Sequence, residues 1–221
     1  MTTLSDSRAV FIDRDGTVVE LLYDKENGYI DSAVKADQLR LIPGAVDALK
    51  RLRSAGYKLI LVSNQPGVAK GRISFDEFQA TRQRFDQLLN REGILFDDEY
   101  YCLHHPNALL AEYRKACECR KPKPGLILKA AKEHNLNLNL CYMVGDDLLD
   151  IRAGKAAGCN TILISHVTDL LLKVLESEGL RPDGIASNLS EASDLILHDV
   201  AKASASERLH ASNNIEEYGK K

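Results

Sequence analysis

The stretch Ala9-Val10-Phe11-Ile12-Asp13-Arg14-Asp15-Gly16-Thr17 leaves this chain the fewest choices. Four apolar, mostly β-favouring residues read as a buried strand, and the run stops at two carboxylates spaced i, i+2. In an open parallel sheet, ligands bind just beyond the carboxyl ends of the strands. The spacing turns Asp13 and Asp15 to the same side of an extended segment, where they can share one substrate and one cation. Like charges that close repel unless a cation neutralises them or one carboxyl holds a proton. The competing reading is a solvated turn, since Asp and Gly are ordinary turn residues.

Further along, strands and helices alternate. Pro43-Gly44 opens a helix from about Ala45 to Ala55, with Val46, Leu49 and Leu52 on one face and Gly56 as its stop. Lys58 to Val62 reads as a buried strand ending in Ser63-Asn64-Gln65-Pro66-Gly67, and Ser74 with Glu77 makes a capping box for a helix to about Arg91. Leu126 to His134 is helical, Tyr142 to Val144 a third strand ending at Gly145-Asp146-Asp147, and Ile151 to Ala157 a helix stopped by Gly158. A fourth strand covers Thr161 to Ile164, followed by helices near Leu170–Glu178 and Leu189–Leu197. Residues 20–40, with Asn27-Gly28 as a turn, read as a loop arching over the first strand end, and residues 100–125 as irregular. The expected fold is α/β, a doubly wound parallel sheet. One domain covers residues 1–197, with a loop at 102–119 pinned by a metal, and a polar tail follows from 198 to 221. Roughly 50 residues separate Asp15 from Ser63 and Ser63 from Lys121, too few for a separate cap domain besides the required crossovers. The pocket should therefore be open, rimmed by loops 20–30 and 102–119.

Composition narrows the partners. With 29 basic against 32 acidic residues the net charge is −3, which gives no field for nucleic acid. No apolar run reaches the length that crosses a bilayer, and Met1 to Arg8 lacks a signal peptide's basic and apolar regions, so no membrane partner and a cytoplasmic location are expected. A monomer is the expected state.

Three strand ends then converge: Asp13/Asp15, Ser63/Asn64 and Asp146/Asp147. Phosphoryl transfer needs a nucleophile, a proton donor, a divalent cation and fixed positive charge. Asp13 suits the nucleophile through an aspartyl-phosphate, and Asp15 suits general acid and then base. Asp146 would join Asp13 and Asp15 in holding Mg2+, a hard cation that prefers oxygen. Ser63 and Asn64 offer donors to phosphoryl oxygens, and Lys121 can neutralise transition-state charge. Arg120 has the planar fork for a second anionic group. Asp147 and Asp150 also read as acidic residues favoured at a helix N-terminus.

Five cysteines include a cluster. Cys102-Leu103-His104 and Cys117-Glu118-Cys119 supply three thiolates and an imidazole, the complete set of a closed tetrahedral zinc site. Reduced loop cysteines are the alternative on spacing alone. Cys141 and Cys159 stand apart in apolar surroundings, as reduced core residues do.

Taken in order, Asp13-Arg14-Asp15-Gly16-Thr17, Ser63-Asn64, Lys121 and Gly145-Asp146-Asp147 resemble the four motifs of the haloacid dehalogenase superfamily of aspartate-based phosphatases. The longer stretches Ser63-Asn64-Gln65-Pro66-Gly67-Val68-Ala69-Lys70-Gly71 and Cys119-Arg120-Lys121-Pro122-Lys123-Pro124-Gly125 are similar to its branch of heptose bisphosphate and histidinol-phosphate phosphatases. The resemblance implies an Mg2+-dependent phosphomonoester hydrolase with a structural zinc, acting on D-glycero-D-manno-heptose 1,7-bisphosphate, or alternatively on histidinol phosphate or sugar phosphates generally. The non-enzyme alternative is an inactive phosphometabolite-binding module. One departure stands out: the heptose enzymes tend to carry Lys where this chain has Asp147.

Overall fold

The computed structural model describes residues 7–24 and 28–199. Six strands form one parallel sheet in the order β5-β4-β1-β6-β7-β8. They are β1 (Ala9–Ile12), β4 (Lys58–Asn64), β5 (Asp98–Cys102), β6 (Tyr142–Gly145), β7 (Asn160–Ile164) and β8 (Gly184–Ala186). The helices are α1 (Ala45–Ser54), α2 (Phe75–Arg91), α3 (Gly125–Glu133), α4 (Leu148–Ala157), α5 (Asp169–Ser177) and α6, residues 189–199. Ser74 and Glu77 form the expected reciprocal cap of α2.

Period-two alternation divides the core between the two sheet faces. Val10, Ile12, Leu59 and Leu61 pack with Leu49, Phe85, Leu189 and Ile196 on one face. Ala9, Phe11, Ile60 and Val62 pack with Ile127, Ala130, Met143 and Ala153 on the other. β1 is buried throughout and lies between β4 and β6, so the chain leaves it in opposite directions. That reversal opens a crevice at the carboxyl ends of β1, β4 and β6, where the three polar strand ends converge.

Two stretches differ from the sequence expectation. Residues 20–40 are not a plain loop: β2 (Leu22–Asp24) and β3 (Tyr29–Asp31) pair as an antiparallel hairpin, followed by a 3-10 turn at Ala36–Gln38. Residues 100–125 open inside β5, whose Asp-Glu-Tyr-Tyr-Cys sequence is too polar to signal a strand because it forms a sheet edge. β8 is three residues long and gives no periodic signal. Among the described residues, only the hairpin and the turn lie between β1 and α1 and only α2 between β4 and β5, so none of them forms a separate cap over the crevice. Among the described residues no helix is long and apolar enough to cross a membrane. Residues 198 and 199 still belong to α6; the rest of the expected tail, 200–221, lies outside the described residues.

Gly154 shows how tightly α4 seats on the sheet. A Cβ there would lie 2.7 Å from both Met143 Cβ and Thr161 Cγ2. Ala normally stabilises a helix interior over Gly by about 1 kcal/mol. Here overpacking of about 1–3 kcal/mol outweighs that gain. Gly154→Ala should therefore lower the urea midpoint; a raised midpoint would show that α4 can lift without cost.

Candidate active site

β1 delivers Asp13 to the crevice, with its N–H tied to Val144 O of β6 at 3.0 Å. Gly16 then turns the chain at φ 77°, and it must be glycine, since a Cβ there would lie 2.0 Å from Asp146 Oδ2. The close approach brings the ends of β1 and β6 together. Carboxylate oxygens of Asp13, Asp146 and Asp150 all lie within 4.8 Å of one another.

Lys121 enters from the segment before α3. Its Nζ lies 2.8 Å from Asp13 Oδ1 and 2.5 Å from Asp150 Oδ1, and it donates to Val62 O at 2.8 Å. Burial works against the ammonium charge, but Asp13 and Asp150 outweigh it and hold Lys121 above the ordinary lysine range. Burial, then the charges of Asp13 and Asp150, pushes the Asp146 carboxyl up to about 7. Burial likewise raises Asp150, against the pull of Lys121. Three ionised carboxylates and one ammonium sum to −2, and the donors are hard oxygens. That set fits Mg2+, whose charge cancels the excess.

Asp150 escaped the sequence reading, which saw only a helix-start acid. Its Oδ2 also accepts from Asp147 N at 3.1 Å, and Gly145 leaves it room, since a Cβ there would lie 2.2 Å from that oxygen. Asp147 lines the crevice as well, while its Oδ1 accepts from Leu149 N at 3.0 Å and caps α4.

Asp15 corrects the expectation that its carboxylate joins the metal cluster. It closes instead on Arg14 and Gln65: Arg14 Nε donates to Oδ2 and Nη2 to Oδ1, each at 3.1 Å, and Gln65 Nε2 donates to Oδ2 at 2.5 Å. Asp15 still lines the crevice, beside Asp13, Asn64, Arg120, Lys121 and Asp146. Ser63 does not line it; its hydroxyl is buried and accepts from Gln65 Nε2 at 3.0 Å. Asn64 spends its amide on the Lys121 backbone, with Nδ2 donating to Lys121 O and Oδ1 accepting from Lys121 N, both at 3.1 Å. Asn64 thus positions Lys121, and one amide hydrogen stays uncommitted. The crevice has a volume of about 280 Å3 and is rimmed by Leu21, Ile30, Asp31 and Ser32 of the hairpin region. From the loop of residues 102–119 and its flank, only Arg120 reaches the lining with Lys121.

Behind the crevice, Cys102, His104, Cys117 and Cys119 converge, with ligand atoms within 4.8 Å of one another. The thiols lie 3.0, 3.3 and 3.6 Å apart, and His104 Nδ1 is 3.3 Å from Cys119 Sγ. A zinc with four ligands at about 2.3 Å would set sulfurs about 3.8 Å apart, so a small expansion seats the ion. All five cysteines are free thiols. Burial, then the contact with Cys119, pushes the Cys102 thiol up, whereas hydrogen bonds from Cys119 and Cys102 outweigh burial and lower Cys117. Arg120 Nη1 donates to His104 O at 3.3 Å, which ties this cluster to the crevice.

A family description for haloacid dehalogenase-like hydrolases matches residues 21–158. The chain belongs to that family. It is 42% identical over 158 residues to D-glycero-beta-D-manno-heptose-1,7-bisphosphate 7-phosphatase of Pasteurella multocida, covering 71% of this chain and 81% of the relative. The same-named protein of Photorhabdus laumondii is 34% identical over 87% of this chain and 91% of its own. Among solved structures, a D,D-heptose 1,7-bisphosphate phosphatase from B. bronchiseptica, complexed with magnesium and phosphate, superposes with a TM-score of 0.70 at 27% identity. That match covers 87% of this chain and 99% of the other. The chain is thus a haloacid dehalogenase-like hydrolase with a phosphatase fold, and no separate cap lies among the described residues.

Because Asp146 carries a proton up to about pH 7 without metal, cation binding must displace it. The Mg2+ dissociation constant should tighten up to about tenfold per pH unit until roughly pH 7 and then level off. In the metal-free protein the sign reverses: the raised carboxyl stabilises at low pH, and that stability is lost as pH rises from about 4 through about 7. Calorimetric Mg2+ titrations and metal-free melts across this range test both; pH-independent affinity would contradict them. At the second cluster, elemental analysis should find one zinc per chain, lost in Cys119→Ala with a melting temperature lower by roughly 5 °C or more.

Proposed function

We propose that this hydrolase removes the 7-phosphate of D-glycero-D-manno-heptose 1,7-bisphosphate, leaving the 1-phosphate. The observation that carries the reading is the charge arrangement in the crevice, where Lys121 bridges Asp13 and Asp150 beside Asp146 and Arg120 lines the same wall. The names of the relatives supply the sugar, and Arg120 supplies a fork for its second phosphate.

Asp13 attacks the phosphorus as the bond to the sugar oxygen breaks, and the alcohol leaves with a proton from Asp15. Asp15 then takes a proton from the water that opens the aspartyl-phosphate, restoring Asp13. Lys121 meets the charge that grows on the phosphoryl oxygens, and Asn64 holds it in register through its backbone. Asp13, Asp146 and Asp150 would hold Mg2+, whose charge would offset that of the nucleophile and the phosphate. Cys102, His104, Cys117 and Cys119 would fill all four positions of a structural zinc, which would anchor the segment that carries Arg120 and Lys121. A single domain that runs through the end of α6 and a cytoplasmic location complete the proposal.

Side-by-side kcat/KM for the heptose bisphosphate and histidinol phosphate with Mg2+ tests the substrate. A preference above about a hundredfold, roughly 2.7 kcal/mol of differential transition-state binding, is expected for the bisphosphate. The reverse preference would make it a histidinol-phosphate phosphatase. Asp13→Asn should remove turnover of every phosphate ester while leaving the fold intact; residual activity near that of the wild type would overturn the nucleophile. Arg120→Ala should raise KM for the bisphosphate more than for histidinol phosphate, and equal effects would remove Arg120 from the distal phosphate.

A further inference from the structure

Beneath the crevice lies a buried polar network that neither the reaction nor the sequence reading uses in full. Arg14 has no exposed surface, although it sits between two cleft aspartates. Its Nε and Nη2 grip both oxygens of Asp15, and Nη2 also donates to Gln65 Oε1 at 3.0 Å. That contact fixes the orientation of the Gln65 amide, because an oxygen must face the guanidinium. The amide nitrogen then has two hydrogens and two partners, Asp15 Oδ2 at 2.5 Å and Ser63 Oγ at 3.0 Å. Gln65 is itself only 7% exposed, so water does not compete for these bonds.

A carboxylate has roughly four lone-pair positions, two on each oxygen. Arg14 and Gln65 both occupy Oδ2, and Arg14 alone occupies Oδ1. The position left open is on Oδ1. We propose that Gln65, seated by Arg14, is the positioning residue that presents Oδ1 of Asp15 as the oxygen that gives the proton to the leaving group. Gln65 touches no reacting atom; it acts through Asp15. The inference rests on the assignment of Asp15 as general acid in the proposed phosphatase reaction.

Leaving-group dependence separates this role from a merely structural one. A sugar alkoxide needs the proton, whereas 4-nitrophenolate leaves readily without it. Gln65→Glu keeps an oxygen for Arg14 and nearly the same volume but loses both N–H donors, and Gln65→Met loses every polar contact. For each variant, kcat on the preferred sugar phosphate should fall at least tenfold further than kcat on 4-nitrophenyl phosphate. Equal losses on both esters, or no loss on either, would overturn the proposal. A wild type inert on both esters would instead sink the phosphatase reading itself. If neither variant folds, the wild-type protein still decides: the Gln65 side-chain amide protons should be protected and shifted downfield by NMR, and Asp15→Asn should move one of them. An exchanging Gln65 amide that Asp15→Asn leaves unmoved would overturn it.

Discussion

The buried ammonium of Lys121 holds the crevice and the fold to each other. Breaking a buried ion pair costs about 3–5 kcal/mol, because the charge left behind is unpaired. Lys121 avoids that cost by facing Asp13 and Asp150 at once and donating to Val62 O. Each of those partners comes from a different element: the end of β1, the start of α4 and β4. The charge therefore cannot be satisfied until the three elements are docked, and the crevice and the fold stabilise one another.

Around this charge the two ends of the sheet region behave differently. The β1 and β6 ends are brought close by small residues, with Gly16 facing Asp146 and Gly145 facing Asp150. Close approach of like charges, added to burial, is what raises Asp146 and Asp150 and what a divalent cation would relieve. The Lys121 side is held from behind by the Asn64 amide and by the segment running from Cys119 through Arg120. A metal at the cysteine cluster would thus act on the crevice through the backbone, without touching substrate.

Much of the site was legible in the sequence because its chemistry is carried by strand ends. A buried strand must stop where polar residues begin, and Asp13, Asn64 and Asp146 mark three such stops. The cysteine cluster was legible for a related reason, since its four ligands lie in two local pairs. Asp150 was not: one turn into α4, its spacing looks like a helix-start acid, and only the seating of Gly145 and Lys121 makes it a partner in the cluster. Arg14 and Gln65 were hidden because residue type argues for exposure, while their burial depends on each other and on Asp15. β5 and β8 were missed because an edge strand with polar residues and a three-residue strand carry no clean period.

The parallel α/β class, the three polar strand ends and the kinds of ligand each can bind all follow from the order of residues alone, because hydrophobic periodicity and donor chemistry are local properties. Which oxygens meet was settled by the assembled fold. It turned Asp15 from the cation cluster to Arg14, brought Asp150 in, and raised the Asp146 carboxyl. Charge states and hydrogen-bond partners in a crevice come from desolvation and from contacts between segments far apart in the chain, and neither exists until the sheet is assembled.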